Sequence, residues 1–200
     1  YGPHGIDLIK RNDGRYQLGV INHYPDETIE MFEMVKKENS WDMVWRGCID
    51  VPYEFYFNDI SLRKNGGFYA SHMYDREITL NEWLFVSIIK TDTGFLVEWI
   101  ENKFKKIDDS DGSGPNGIAL DENSNIIYIS YNQGDSITKF DLSLNKKLDK
   151  KFIEAPDNPY IDGNDIWITS LDFQPNDFGK CEFKKSCCLL YTSDAADDLL

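Results

Sequence analysis

The sequence predicts an all-β fold, and three observations carry that expectation. Tyr, Phe, Ile, Val, Thr and Trp recur in short runs separated by Gly, Asn and Asp, and helix formers do not dominate. One phrase is written twice, GPHGIDL from Gly2 and GPNGIAL from Gly114, with five of seven letters alike. Four segments built on the plan of that phrase follow one another along the chain.

The first segment, HGIDLIKRNDGRYQLGVINHY, opens at His4. It gives a short strand, a turn at Asp13-Gly14 and a more apolar second strand, LGVIN. The amphipathic run TIEMFEM (residues 28–34) then alternates as an outer strand with one wet face should. The second segment, NDISLRKNGGFYASHMY from Asn58, turns at Asn65-Gly66 into GFYAS. Residues 78–90, ITLNEWLFVSIIK, break the pattern and call for a short helix or a longer connection. The third, NGIALDENSNIIYISYN from Asn116, turns at residues 123–125 into IIYIS and continues into SITKFDL. The fourth, DNPYIDGNDIWITSL from Asp157, turns at Asp162-Gly163 into IWITS. Asn-Gly and Asp-Gly tolerate the positive φ of tight hairpins, and the β-branched and aromatic second strands suit burial. Two hairpins per repeat make four strands, and the repeats open 54, 58 and about 42 residues apart. Four-stranded sheets of that size, set radially about one axis, form a β-propeller. A β-sandwich is the alternative, but it gives no reason for equivalent polar residues at the start of each repeat.

Of 200 residues, 41% are hydrophobic and 28% charged, which suits a folded chain with a packed core. The formal net charge of −14 argues against a nucleic-acid partner, whose phosphates call for basic patches. It suits solubility, and also a cation-binding surface. The longest apolar run, WLFVSII at residues 83–89, is too short to span a bilayer. The chain opens at Tyr1 in mid-pattern, so a missing N-terminus is expected and the compartment stays open. Cys48, Cys181, Cys187 and Cys188 form no CxxC pair and no zinc spacing, and read as unpaired thiols. The final stretch from Cys188, CLLYTSDAADDLL, shows no β pattern, and residues 188–197 resemble a translated sequencing-library adaptor. The expected organisation is a partial propeller over residues 1–187, with blades missing at both ends, and a non-native tail over 188–200. An unclosed ring exposes sheet edges, so such a fragment is expected to be poorly stable.

In a propeller, equivalent positions of all blades share one radius and height. His4, Asn58, Asn116 and Asn158 are therefore expected to converge as a ring, with Asp157 beside them. Amide carbonyls and a carboxylate are hard oxygen donors and suit calcium; zinc or copper would call for more His or Cys. Asp59 reads as facing the other side of its strand, either as a ligand of a deeper metal or as a turn residue. A His beside a bound cation can activate water and a second can relay the proton, which fits His4 and His23; the alternative for each is a structural role. His72 is expected to stand where His23 stands in the first repeat and to line the mouth. Phe55, Tyr56 and Phe57 read as pocket wall or core. No GxSxG elbow, P-loop or HExxH occurs, and no glycosidase carboxylate pair stands out.

At these residues the chain resembles the calcium-dependent six-bladed propellers of the paraoxonase (arylesterase) and gluconolactonase/regucalcin superfamily. The motifs GPHGIDL, VINHYPDETIEMFEM, WRGC, NDISLRKNGGFYASHM, GPNGIAL and PDN carry it, in the family's order, over roughly residues 2–172. The resemblance implies about four blades of a six-bladed propeller. It implies Asn58, Asn116, Asp157 and Asn158 as ligands of a catalytic calcium. Asp59 and the backbone carbonyl of Ile6 would serve a structural calcium, and His4 and His23 would be base and proton relay. The implied substrates are small lactones, with aryl esters as a weaker activity; oligomeric state is left open. Three features depart from the family: its first-blade acidic ligands lie before Tyr1, Leu171 stands where a His is frequent, and Pro159 follows Asn158. Two rivals remain, a non-catalytic calcium-binding propeller and a metal-free, strictosidine-synthase-like one.

Overall fold

The computed structural model describes residues 2–171 and the strand Cys188–Ser193. Cys181 and Cys187, and residues 194–200 of the expected tail, lie outside the described residues. Four antiparallel sheets follow one another in chain order. The first holds β1 (Pro3–Lys10), β2 (Tyr16–Asn22), β3 (Thr28–Lys36) and β4 (Trp41–Asp50). The second holds β5 (Phe57–Leu62), β6 (Phe68–His72), β7 (Phe95–Ile100) and β8 (Lys103–Lys106). The third holds β9 (Pro115–Asp121), β10 (Ile126–Tyr131), β11 (Ser136–Asp141) and β12 (Lys146–Phe152). The fourth pairs β13 (Pro156–Asp162), β14 (Asp165–Leu171) and β15 (Cys188–Ser193). In each sheet the strands run in sequence order from the first, and the first strands neighbour one another: β1 packs on β5, β5 on β9 and β9 on β13. This is a partial β-propeller.

Period-two side-chain alternation makes the sheets stack. Phe68 and Ala70 of β6 point back into a core shared with Ile21, Ile29, Phe57 and Leu62. Tyr69, between them, points forward into a core with Ile118, Ile127, Ile129 and Phe140. Ile137, Ile166 and Ile168 close the third interface. Strands sandwiched between two cores are buried on both faces, and every residue of β5 and β6 is buried. The hairpin turns use left-handed backbone where the sequence offers Gly or Asn: Gly14 (φ +84°), Gly66 (φ +97°) and Asn125 (φ +55°).

The broken pattern at residues 78–90 is the helix α1 (Leu80–Ile89). Thr79 caps it, its hydroxyl accepting from the Glu82 N–H while the Glu82 carboxylate accepts from the Thr79 N–H. No residue of the helix is buried, and Leu80, Phe85 and Ile88 are exposed. Residues 188–193, which show no alternation in sequence, form the third strand of the last sheet. Pairing along the β14 edge is made by main-chain groups and asks no alternation of the side chains.

Candidate active site

The same irregularity occurs at the same place in every first strand. Pairing skips between Pro3 and Ile6, Phe57 and Ile60, Pro115 and Ile118, and Pro156 and Pro159, so two residues oppose one residue of the second strand. The bulged pairs are His4-Gly5, Asn58-Asp59, Asn116-Gly117 and Asp157-Asn158. A bulge re-aims side chains and bends its strand, and here it falls on the polar pair of each first strand. Two of the residues opposite secure the extra backbone group: Ser71 Oγ accepts the Asp59 N–H at 3.0 Å, and Thr169 Oγ1 accepts the Asn158 N–H at 3.0 Å.

The register corrects the expected ring. Pro159 pairs with Ile168, the slot that Ile6, Ile60 and Ile118 occupy in their blades. Asp157, not Asn158, is therefore equivalent to His4, Asn58 and Asn116. Asn158 aligns instead with Asp59 and the two glycines. The four first strands line an open cavity of about 340 Å³ that His4, Ile6, Asp59, Ile118 and Asn158 share.

The repeated glycine is explained by close approach. A Cβ on Gly5 would lie 2.5 Å from the Asn58 carbonyl oxygen, and one on Gly117 would lie 2.4 Å from Asn158 Cα. Each GPxGI phrase thus lets the next blade bring its polar pair inward. Asp59 is buried, and its Oδ2 accepts the Ile118 N–H at 2.9 Å. Ser71 donates its hydroxyl to the Asn116 carbonyl at 2.5 Å, which ties the second blade to the third. Burial, with help from the charges of Asp7 and Asp157, pushes the Asp59 carboxyl up to about 7. Burial also raises Asp7 and Asp157. Asp7 and Asp59 line the same cavity, and Asp59 feels the charges of both Asp7 and Asp157. Asn116 Oδ1 is buried without a partner, while the Asn58 amide nitrogen donates to Met73 Sδ at 3.6 Å.

His4 Nδ1 lies 2.9 Å from His23 Nε2, and His23 Nδ1 lies 2.8 Å from Glu27 Oε1. The His23 ring stacks on Tyr56 at 4.6 Å between centroids. Partial desolvation and the neighbouring His23 lower the pKa of His4, against smaller opposing effects of Asp157 and Glu27. The ring is thus neutral and able to accept a proton near pH 7. Glu27 was not legible in the sequence, because only the hairpin that reverses between β2 and β3 brings it back onto His23. Asp7 was missed too: it reads as an alternating strand residue, yet its Oδ2 accepts the Leu62 N–H at 2.7 Å across the blade boundary.

His72 corrects a second expectation. It pairs with Phe57 as Asn22 pairs with Pro3, so Met73, not His72, is the counterpart of His23. His72 is buried against Phe95 and Phe55, and its Nδ1 accepts the Tyr56 N–H at 3.0 Å. It is a core residue and does not line the mouth. Phe57 is core, Phe55 packs against that core, and Tyr56 is the residue that reaches the dyad. Among the described residues no group of three His, Cys, Asp or Glu side chains is gathered as a metal cluster. A donor set made largely of Asn amides would not form one.

A family model described as Arylesterase matches residues 1–177. The chain belongs to the arylesterase family. No curated protein matches it. Among solved structures, this arylesterase-family chain is similar to a luciferin-regenerating enzyme, at 14% identity and a TM-score of 0.51 over 85% of this chain and 56% of that one. A functionally unknown protein from Desulfotomaculum acetoxidans gives 12% and 0.53, over 85% and 49%. A gluconolactonase from Xanthomonas campestris gives 13% and 0.50, over 82% and 55%. Likeness at such identity is one of fold, and the arylesterase-family chain spans about half the length of each of these structures.

Proposed function

We propose that the chain is part of a calcium-dependent hydrolase of lactones, with aryl esters as secondary substrates. The observation that carries this reading is the His4–His23 contact at 2.9 Å, with Asn58, Asn116 and Asp157 at the bulged position that His4 holds in its own blade. Membership of the arylesterase family and the fold shared with a gluconolactonase support the reaction class.

The residues fit a hard cation. Asn116 Oδ1 is a buried acceptor with no donor, and Asp157 and Asp59 carry charge that burial leaves costly. Asn58, Asn116 and Asp157 would hold a catalytic calcium; Asp59, Asn158 and Ile6, which line the cavity, would hold a structural one, Ile6 through its carbonyl. When bound, calcium supplies a positive charge opposite the oxygen on which charge grows during attack on a carbonyl. His4, neutral at working pH, takes a proton from the attacking water. His23 accepts the proton that His4 releases from its other nitrogen, so the imidazolium charge is shared. Asp157, close enough to His4 to favour its protonated form, steadies that charge.

The test is lactone hydrolysis by the complete protein in a pH-stat, with calcium and then with excess chelator. Turnover that stops with chelator and returns with calcium is expected. No turnover over a broad lactone panel, with calcium still raising the melting temperature, would establish a calcium-binding module instead.

A further inference from the structure

The contacts that begin at His4 do not end at His23. Glu27 meets His23 Nδ1 with both carboxylate oxygens, at 2.8 and 3.0 Å, and its side chain is only 4% exposed. The loop that delivers it is itself fixed. The Asn22 amide nitrogen donates to the Tyr24 and Asp26 carbonyls and to Thr28 Oγ1, folding the chain so that residue 27 returns to the ring. The Glu27 carbonyl accepts the Val51 N–H at 3.0 Å, which ties the loop to the next connection. Arg76 lines the cavity behind Glu27, but its guanidinium donates to the Phe55 and Pro52 carbonyls. The other ionisable groups around that cavity are Asp26, Glu30, Asp50, Cys48, Tyr53 and Tyr56, which offer Glu27 no positive charge. His23 is the partner Glu27 faces.

These contacts have a direction. A carboxylate only accepts, so His23 Nδ1 must carry the hydrogen. Neutral His23 then has a bare Nε2, which can only accept. His4 Nδ1 must therefore donate to it, and the remaining nitrogen of His4, Nε2, holds a lone pair. We propose that Glu27 is a positioning residue that fixes both tautomers and makes Nε2 of His4 the proton-accepting nitrogen. The catalytic consequence rests on the hydrolase reading above; the tautomers do not. In the reaction, water gives one proton to His4 Nε2 as its oxygen bonds to the carbonyl carbon. The Nδ1 proton of His4 can pass to His23 Nε2, where the ionised Glu27 opposes the new charge, and it returns to the leaving oxygen. Without Glu27 both tautomers of the pair are open, and the one with hydrogen on His4 Nε2 cannot accept the proton.

Three histidines in the whole chain make this readable by imidazole ¹⁵N NMR. Wild-type His4 and His23 are expected as Nδ1–H tautomers. His72, whose Nδ1 accepts the Tyr56 N–H, is expected as Nε2–H and reports on the fold. In Glu27→Gln the amide can turn its NH₂ to the ring, so His4 and His23 should shift toward Nε2–H while His72 stays unchanged. In the complete protein kcat for lactone should then fall by about 10²–10⁴, the range of general-base catalysis, with KM changed less than about threefold. A wild-type His4 found as Nε2–H overturns the proposal without any variant. Unchanged His4 and His23 signals in Glu27→Gln overturn it equally. A tautomer shift with no hydrolysis even in the wild type would uphold Glu27 as the positioning residue and reject the hydrolase.

Discussion

Gly5 and Asp59 approach until no side chain fits between them: a Cβ on Gly5 would stand 2.5 Å from Asp59 Cα and 2.7 Å from its Oδ1. Gly117 makes the same approach to the Asp157-Asn158 pair one boundary further on. Gly5→Ala or Gly117→Ala should therefore push a whole first strand outward, because the obstructing atoms are largely backbone. We expect a loss of about 1–3 kcal/mol, the usual scale of overpacking. Gly2→Ala, where the nearest atoms lie at 3.5 Å, is the neutral control. Thermal melting of the three variants checks this, and equal melting temperatures for Gly2→Ala and Gly5→Ala would refute the close-packing argument.

The two kinds of histidine should separate under mutation. His4→Gln should lower hydrolysis by about 10²–10⁴, as loss of a positioned base does, and leave calcium affinity intact. His72→Ala removes a buried ring and leaves the Tyr56 N–H without its acceptor. It should cost about 1–3 kcal/mol of stability. Paired measurements of kcat and melting temperature decide it. Equal loss of calcium affinity in His4→Gln would make His4 structural.

Much of this was legible in the sequence, for physical reasons. Asn, Asp and Gly at positive φ mark hairpins because few residues adopt that backbone, alternating apolar residues mark strands with one wet face, and continuous runs such as GFYAS mark strands packed on both. The recurrence of GPxGI marked the first and third blade starts because the close approach there tolerates only glycine. What failed was register. Asn158 was expected in the ring and His72 at the place of His23, because cross-strand pairing, not the letters, decides which residue of each stretch is equivalent. Glu27 stayed hidden because its meeting with His23 depends on how the Asn22 side chain folds the loop.

The acids that burial raises, Asp7, Asp59 and Asp157, give a pH signature. Asp59 has a native value of about 7 against 3.8 when free. The native state therefore holds a proton that the unfolded chain has lost between those values, and stability must fall as pH rises through that window. Asp7 and Asp157 are raised in the same direction and add to the effect. With chelator present, the melting temperature should be higher at pH 5 than at pH 7.5. Asp59→Asn should flatten the difference, and calcium, which favours the ionised acids, should reverse it. A melting temperature that rises with pH in chelator would contradict the uncompensated burial of these acids.

Asn116 allows the cation reading to be tested apart from catalysis. Its Oδ1 is buried with no donor, whereas its backbone carbonyl is held by Ser71. Asn116→Ala keeps the backbone bond and removes the orphan oxygen. In chelator the variant should melt near the wild type, or above it, because an unsatisfied buried acceptor is itself a cost. With calcium the two should part. A ligand at 100 times its Kd stabilises the native state by about 2.7 kcal/mol, and a variant short of one donor should lose most of that. Calcium-dependent melting curves for wild type and Asn116→Ala decide it. Parallel curves would mean that Asn116 holds no cation, and would leave its orphan oxygen to be explained by packing between the second and third blades.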